Sequence, residues 1–124
     1  MSQSHNVPNT YKAAADFTDK KFHAVIVSAQ QTVAIAGAAG DAIGILQNEP
    51  DAAGKAALVA EAGSGTSEVI AGAAFAVGAR LASNAAGRLI AATAGQHYIA
   101  IAREAATADG DRVEALLTKG LVAA

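Results

Sequence analysis

Side chains that could act as nucleophiles, bases or metal ligands are few and scattered along this 124-residue sequence. It contains no Cys and no Gly-x-Ser-x-Gly motif, and its three histidines, His5, His23 and His97, are far apart. Nucleophilic catalysis requires a nucleophile next to the base that activates it. The sequence therefore predicts no catalytic residue, and we interpret His23 and His97 as strand residues or partner contacts in preference to ligands.

Two short motifs could bind an ion or a phosphate group. The run Asp109-Gly110-Asp111 is the nearest match to a calcium loop, which needs further oxygen ligands at regular spacing. The Gly-Ser-Gly-Thr-Ser run at 63–67 is similar to a phosphate-cradling loop, but the required Lys does not follow it. We interpret the first as a turn and the second as a hairpin loop, and we expect no metal and no cofactor.

Composition and charge narrow the class of partner. Hydrophobic residues make up 52% of the sequence but aromatic residues only 4%, and much of the apolar fraction is alanine, which removes little surface from water when buried. A small domain with such a thin core commonly gains burial by associating with copies of itself. The formal net charge of -2 predicts no binding to nucleic acid or to an anionic membrane.

Neither the start of the sequence nor its apolar runs predict membrane insertion. The longest apolar run, residues 69–79, is about half the length that a spanning helix needs. The polar start of the chain lacks the basic and apolar regions of a signal peptide. We therefore expect a soluble protein that is made in the cytoplasm.

The first 21 residues differ in composition from the remainder. Residues 1–21 contain no glycine and place Val7, Pro8, Tyr11 and Phe17 among polar residues. Aromatic anchors are common in interfaces, so we interpret this segment as an extended N-terminal arm and these four residues as its partner-binding side chains. The alternative is a frayed terminus. If it is an arm, deletion of residues 1–20 should leave the domain at 22–124 folded.

From residue 22 onward, short apolar segments alternate with glycines that are spaced too closely for long helices. Period-two alternation occurs in several segments, for example at Ile43/Ile45 and Ile99/Ile101. We therefore predict a mainly β fold. The predicted strands are 22–28, 32–36, 42–47, 56–61, 68–71, 79–83, 88–92, 98–103 and 112–118. Alanine favours helices, so 73–86 keeps a helical alternative. A second helical alternative lies at 111–119, where Asp111 could cap a helix that has Glu114 in its first turn and Gly120 just past its end.

The sequence also repeats itself. Ile43 and Ile99 are 56 residues apart, as are the turn glycines Gly54 and Gly110. The closing glycines, Gly63 and Gly120, are 57 apart, which is a one-residue slip that a β-bulge can absorb. Each half then contains two strands, an Ile-x-Ile strand, a polar loop and a last strand. Two such halves predict a small β-barrel or sandwich, although an Ala- and Gly-rich chain can also match itself by chance.

This layout is similar to that of a known family. The segments that carry the likeness are Ile43-Gly44-Ile45-Leu46, the Ala-Ala-Gly turn at 52–54, residues 78–88, Ile-Ala-Ile-Ala-Arg-Glu-Ala-Ala at 99–106, and Gly-Asp-Arg-Val at 110–113. Over residues 22–120 the sequence resembles the capsid cement, or head decoration, proteins of tailed phages. The high alanine content and the length of the segment before Phe22 depart from that pattern.

The resemblance implies a function and a partner. Proteins of this family are small β proteins, often trimeric, that sit on the outside of the phage head and hold the major capsid protein lattice together. The family has no catalytic residues to transfer, so the implied partner is the major capsid protein and the implied location is the outer surface of the virion.

Two alternatives remain open. A host- or carbohydrate-binding module of a virion fibre would display aromatic residues on the body, where only Phe75 and Tyr98 are available. An enzyme could assemble its site from several chains, in which case a pocket between subunits should contain His23 or His97.

Overall fold

The computed structural model describes residues 6–38 and 41–123, and all regular secondary structure in these ranges is β-strand. His5 and the rest of residues 1–5 lie outside the described residues. The ten strands are β1 (Asn9–Ala13), β2 (Ala24–Ala29), β3 (Thr32–Ile35), β4 (Gly44–Leu46), β5 (Ala56–Glu61), β6 (Gly65–Ile70), β7 (Arg80–Ser83), β8 (Leu89–Ala91), β9 (His97–Ala102) and β10 (Arg112–Leu121).

The mainly β prediction is confirmed, with three local corrections. The nine predicted strands correspond to β2 through β10. The helical alternatives for 73–86 and 111–119 are wrong, because β7 and β10 pair with β9 within one sheet. The predicted loop at 63–67 is also shorter than expected, since β6 begins at Gly65 and pairs there with Leu117. Strand β1 was not predicted at all.

The first five strands close into a barrel in the order β1-β3-β2-β4-β5, and β1 completes it by pairing with β5. The last five form a sheet in the order β6-β10-β9-β7-β8. All pairs are antiparallel except the one between β1 and β3. Closing the first sheet removes its free edges, which would otherwise be open to pairing with other chains.

The two halves are copies of one topology, as the repeat predicts. Gly44 pairs with Glu61 in the first half, and the residues 56 positions later, Ala100 and Leu117, pair in the second. Each ladder of the first half recurs in this way. The parallel β1–β3 ladder recurs as a single bridge between Ala71 and Leu89. A register shift between Leu117 and Gly120 supplies the bulge that the spacing of the closing glycines predicts.

The repeat extends into the segment that the sequence marks as an arm. Ala13 pairs with Val33 as Ala71 pairs with Leu89, so β1 and β6 are equivalent at an offset of 58 residues. Phe17 N–H donates to the carbonyl of Pro50 at 2.7 Å, and Phe75 N–H donates to that of Ala106 at 3.1 Å. Phe17 is therefore the counterpart of Phe75, one in each half.

The same equivalence holds for the core. One cluster fills the first barrel, and each of its members has a counterpart in the cluster of the second half. The first set is Ala13, Phe17, Val25, Val33, Leu46, Ala57 and Val59, and the second is Ala71, Phe75, Leu81, Leu89, Ala102, Val113 and Ala115.

The second half packs on the side of the first barrel. Ala24, Ile45 and Ala60 are fully buried and belong to the cluster of the second half, although they lie on β2, β4 and β5. The backbone N–H of Ala24 donates to the carbonyl of Gly87 at 2.8 Å. A Cβ at Gly87 would lie 2.4 Å from the Ile35 side chain, so glycine permits this close approach.

The predicted arm is therefore wrong over residues 9–21. Residues 9–13 form a barrel strand, and Phe17 is only 3% exposed within the core. The strand was missed because its inward side chains find their apolar neighbours on β3 and β5, far away in the sequence. A boundary at 21/22 would cut the first barrel, and deletion of residues 1–20 would remove one of its five strands.

Replacement of Phe17 by Ala should destabilise the protein by about 3–5 kcal/mol, because it leaves a cavity in the first barrel. Chemical denaturation of the purified chain measures this directly. Val7→Ala is the control, since Val7 is 76% exposed and its truncation should change stability by less than about 0.5 kcal/mol. Equal stability of Phe17→Ala and the parent would contradict the placement of Phe17 in the core.

Candidate functional site

The structure separates the four residues that were predicted to bind a partner. Val7 and Pro8 are exposed, Tyr11 is half-buried at the rim of the first barrel, and Phe17 is in the core. Asn6 anchors the segment before β1, since its side-chain amide donates to the backbone carbonyl of Thr66 at 2.8 Å. Val7 and Pro8 are thus held at the surface next to the start of β6.

Tyr11 has a structural partner within the chain. Its hydroxyl donates to a carboxylate oxygen of Glu61, and the side-chain amide of Asn9 donates to the other oxygen. The hydrogen bond to Glu61 raises the pKa of the Tyr11 hydroxyl, and burial adds to the effect. This polar group covers the rim of the first barrel, and partner binding by Tyr11 remains a prediction.

Exposed apolar side chains mark a second surface. Leu116 on β10 is 41% exposed and lies opposite Ile101 on β9. Leu121, near the end of β10, is 58% exposed. We call Ile101, Leu116 and Leu121 the β9–β10 strip. Exposed apolar surface of this kind is typical of sites that contact another protein.

The side chains that could take part in catalysis or metal binding do not lie close together. His23 is buried, with its Nδ1 at 3.2 Å from the carbonyl of Lys21, whereas His97 is exposed at the start of β9. Across residues 6–38 and 41–123, no three His, Asp or Glu side chains are grouped so that they could hold a metal ion. The same ranges contain no helix long and apolar enough to cross a membrane.

The two motifs singled out in the sequence have structural roles. Gly110 adopts a φ of 94°, and the Asp111 carboxylate accepts hydrogen bonds from the backbone N–H groups of Thr107 and Ala108. These bonds hold the pKa of Asp111 below its usual value, the one from the Thr107 N–H most of all. The predicted turn at 109–111 is confirmed. Gly63 forms the turn into β6 at a φ of 88°.

Comparisons with known proteins support the fold. No family model matches the sequence, and no curated protein matches it. Among solved structures, the chain is similar to the N base of the head fibre gp8.5 of bacteriophage phi29, with a TM-score of 0.65 and 19% sequence identity. The match covers 90% of this chain and 93% of that one, so the two proteins share the fold over nearly their whole lengths.

Burial of His23 gives the fold a pH dependence. Removal of its imidazole from water lowers the pKa of His23 below its ordinary value of 6.5, and the nearby Lys20 and Arg88 charges act in the same direction. Below about pH 6.5 the unfolded chain therefore binds a proton that the folded chain does not. The free energy of unfolding must fall as the pH decreases from 6.5 toward the pKa of His23 in the folded state.

Replacement of His23 by Ala, the residue at the equivalent position 79, should remove this dependence. Urea denaturation at several values between about pH 7 and pH 5 should show a smaller slope of stability against pH for the variant. His97→Ala, at an exposed site, is the matched control and should keep the parent slope. If His23→Ala and the parent have the same slope, His23 is not the titrating group.

Proposed function

We propose that the chain is a structural protein of a phage virion, which binds the outer surface of the head and stabilises the major capsid protein lattice without enzymatic activity. The observation that carries this proposal is the fold that it shares with the phi29 head fibre base over 90% of its length. A shared fold does not by itself transfer function, so the proposal also depends on which surfaces are available for contact.

Two features of the surface support attachment to a protein lattice. Val7 and Pro8 project from a segment that Asn6 fixes to the body, so they can insert into a partner at little entropic cost. The formal net charge of -2 does not favour nucleic acid as the partner. Many copies on one shell would then add weak contacts into strong attachment, because each bound copy reinforces the lattice around it.

A second candidate function is the base of a head fibre. It is favoured by the similarity to the N base of the phi29 head fibre, of which the match covers 93%. The two candidates differ in where copies bind. A lattice stabiliser occupies the junctions between capsid subunits across the shell, whereas a fibre base occupies only the attachment points of fibres and leaves shell stability unchanged.

We further propose that the chain forms a trimer through the β9–β10 strip. Ile101 and Leu116 lie side by side on neighbouring strands, and Leu121 extends the apolar surface along β10. Burial of this strip against copies of itself would add apolar contact that the alanine-rich core of one chain cannot provide.

Val7→Asp should weaken binding to purified phage shells about tenfold or more, because a charge would replace an apolar contact at the interface. Val77→Asp is the matched control, since Val77 is similarly exposed, at 65%, but is distant from the N-terminal segment in the sequence. Co-sedimentation of each variant with shells measures the effect. Equal binding of Val7→Asp and Val77→Asp would contradict a role for the segment.

Cryo-electron microscopy of particles with and without the protein separates the two candidates. Density of 12.2 kDa per copy at junctions across the shell, together with heads that break at lower temperature without the protein, supports lattice stabilisation. Density at a few fibre attachment points on equally robust heads supports the fibre base. Particles that lack any outer density from the chain would overturn both.

Leu116→Lys should convert the proposed trimer to a monomer, because a charged group in the centre of the strip would lose its water on assembly. Light scattering after size-exclusion chromatography reports the mass. Val27→Lys, at an exposed site on β2, should leave the trimer intact. A parent chain that is monomeric at high concentration would contradict the proposed trimer.

A further inference from the structure

We propose that a cleft between the two halves is a binding site for a neutral glycan. The cleft has a volume of about 260 Å³ and is formed on one side by residues of the first half and on the other by residues of the second. Its principal side chains are Asp19, Lys21, Phe22, Glu49, Arg88 and Arg112. It is distinct from the N-terminal segment and from the β9–β10 strip, and its function goes beyond attachment to a head.

The cleft is built where the first half departs from the repeat. Phe22 N–H donates to the carbonyl of Leu46, as Gly78 N–H donates to that of Ala102, so Phe22 is equivalent to Gly78. The same offset of 56 aligns Lys21 with Val77 and Glu49 with Ala105. The first half thus has charged and aromatic side chains where the second has small or apolar ones.

The backbone of the cleft is strained where those side chains are presented. Phe22 has a φ of 68° and Asp19 a φ of 64°, a region that costs free energy for residues other than glycine. The counterpart Gly78 reaches a φ of 86° without that cost. Asp19 also belongs to a two-residue insertion, since the offset between the halves changes from 58 at Phe17 to 56 at Lys20. Such strain is typical of ligand sites.

The charges of the cleft favour a ligand without net charge. Within the described part of the chain, Asp19, Glu49 and Lys21 form no ion pair, and the Lys21 Nζ lies over the ring of Phe22 at 5.0 Å from its centre. A phosphate or carboxylate ligand would meet the two carboxylates, and a cationic ligand would meet Lys21 and Arg112. A polyhydroxylated ligand can donate to the carboxylates and accept from the cations at the same time.

Size and shape restrict the ligand further. Pockets for drug-sized molecules measure about 300–1,000 Å³, so this smaller cleft fits one terminal sugar. The half-buried ring of Phe22 has the Lys21 ammonium at 5.0 Å and the Arg112 guanidinium at 5.4 Å from its centre, so both cations are held beside the cleft, where they can donate to sugar hydroxyls. Arg88 is fixed by its bond of 2.7 Å to Asp109, and can still donate from its remaining N–H groups.

A glycan microarray probed with the purified chain, displayed in multiple copies on beads, tests the proposal in the absence of capsids. We expect binding to a set of neutral glycans that share a terminal sugar. The double variant Lys21→Val/Glu49→Ala, which installs the residues of the second half, should weaken binding about tenfold or more, because two hydrogen bonds to charged groups are lost. Thermal denaturation checks that the variant is folded.

Lys12→Ala provides the matched control, since Lys12 is exposed on β1 and lies outside the cleft. Retained glycan binding by Lys12→Ala together with loss in the double variant supports the site. Absence of binding to every glycan on the array, or binding that the double variant leaves unchanged, overturns it. Neither result affects head attachment, because that function is measured on shells with Val7 variants.

Discussion

The fold depends on the burial of one alanine-rich side of the first barrel against the second half. Ala24 and Ala60 remove little surface from water individually, so they stabilise the contact only if the two halves approach very closely. Gly87 allows that approach, because any side chain there would meet Ile35. The hydrogen bond between Ala24 and Gly87 then fixes the distance. A thin core is thus compensated by tight packing between repeats, and the two halves form one unit.

This constraint explains where the candidate surfaces lie. Residues that face the junction are committed to packing, so contacts with other molecules would use the rim, the exposed face of the second sheet or the margin of the junction itself. Val7 and Pro8 lie exposed near the first, and the β9–β10 strip lies on the second. The cleft uses the margin, where side chains of both halves reach solvent without disturbing the buried contact.

Much of this architecture could be predicted from the sequence, because its signals are local. Glycine spacing and alternation located nine strands, and the Ile-x-Ile pairs revealed the repeat. Strand β1 could also have been found approximately, since the offset of 56 residues makes residues 12–15 equivalent to the predicted strand at 68–71, within two residues of the true alignment. It was missed because the polar run around Tyr11 has no apolar alternation of its own. Phe17 was interpreted as a partner contact for the same reason, although its counterpart Phe75 is buried.

The cleft could not be predicted, since it joins residues that are distant in the sequence. Nothing near Phe22 indicates that Arg112 lies over its ring, or that its backbone has a positive φ. Only the docking of one half on the other brings them together. The sequence can show that a residue differs from its counterpart in the other half. The role of that residue depends on which side chains of the second half lie next to it in the fold.

The contact between the two halves also bears on whether further copies can add at either end of the tandem. Because one half contacts the other head to tail, the same contact could in principle recruit a further copy at each end and grow a filament. The two halves differ at positions that such a contact would use. Arg80 stands where the first half has Ala24, while Tyr11 and Glu61 stand where the second half has Val69 and Leu117. Head-to-tail addition of a further copy would bury these charged and polar groups, so the differences between the halves disfavour growth beyond one tandem.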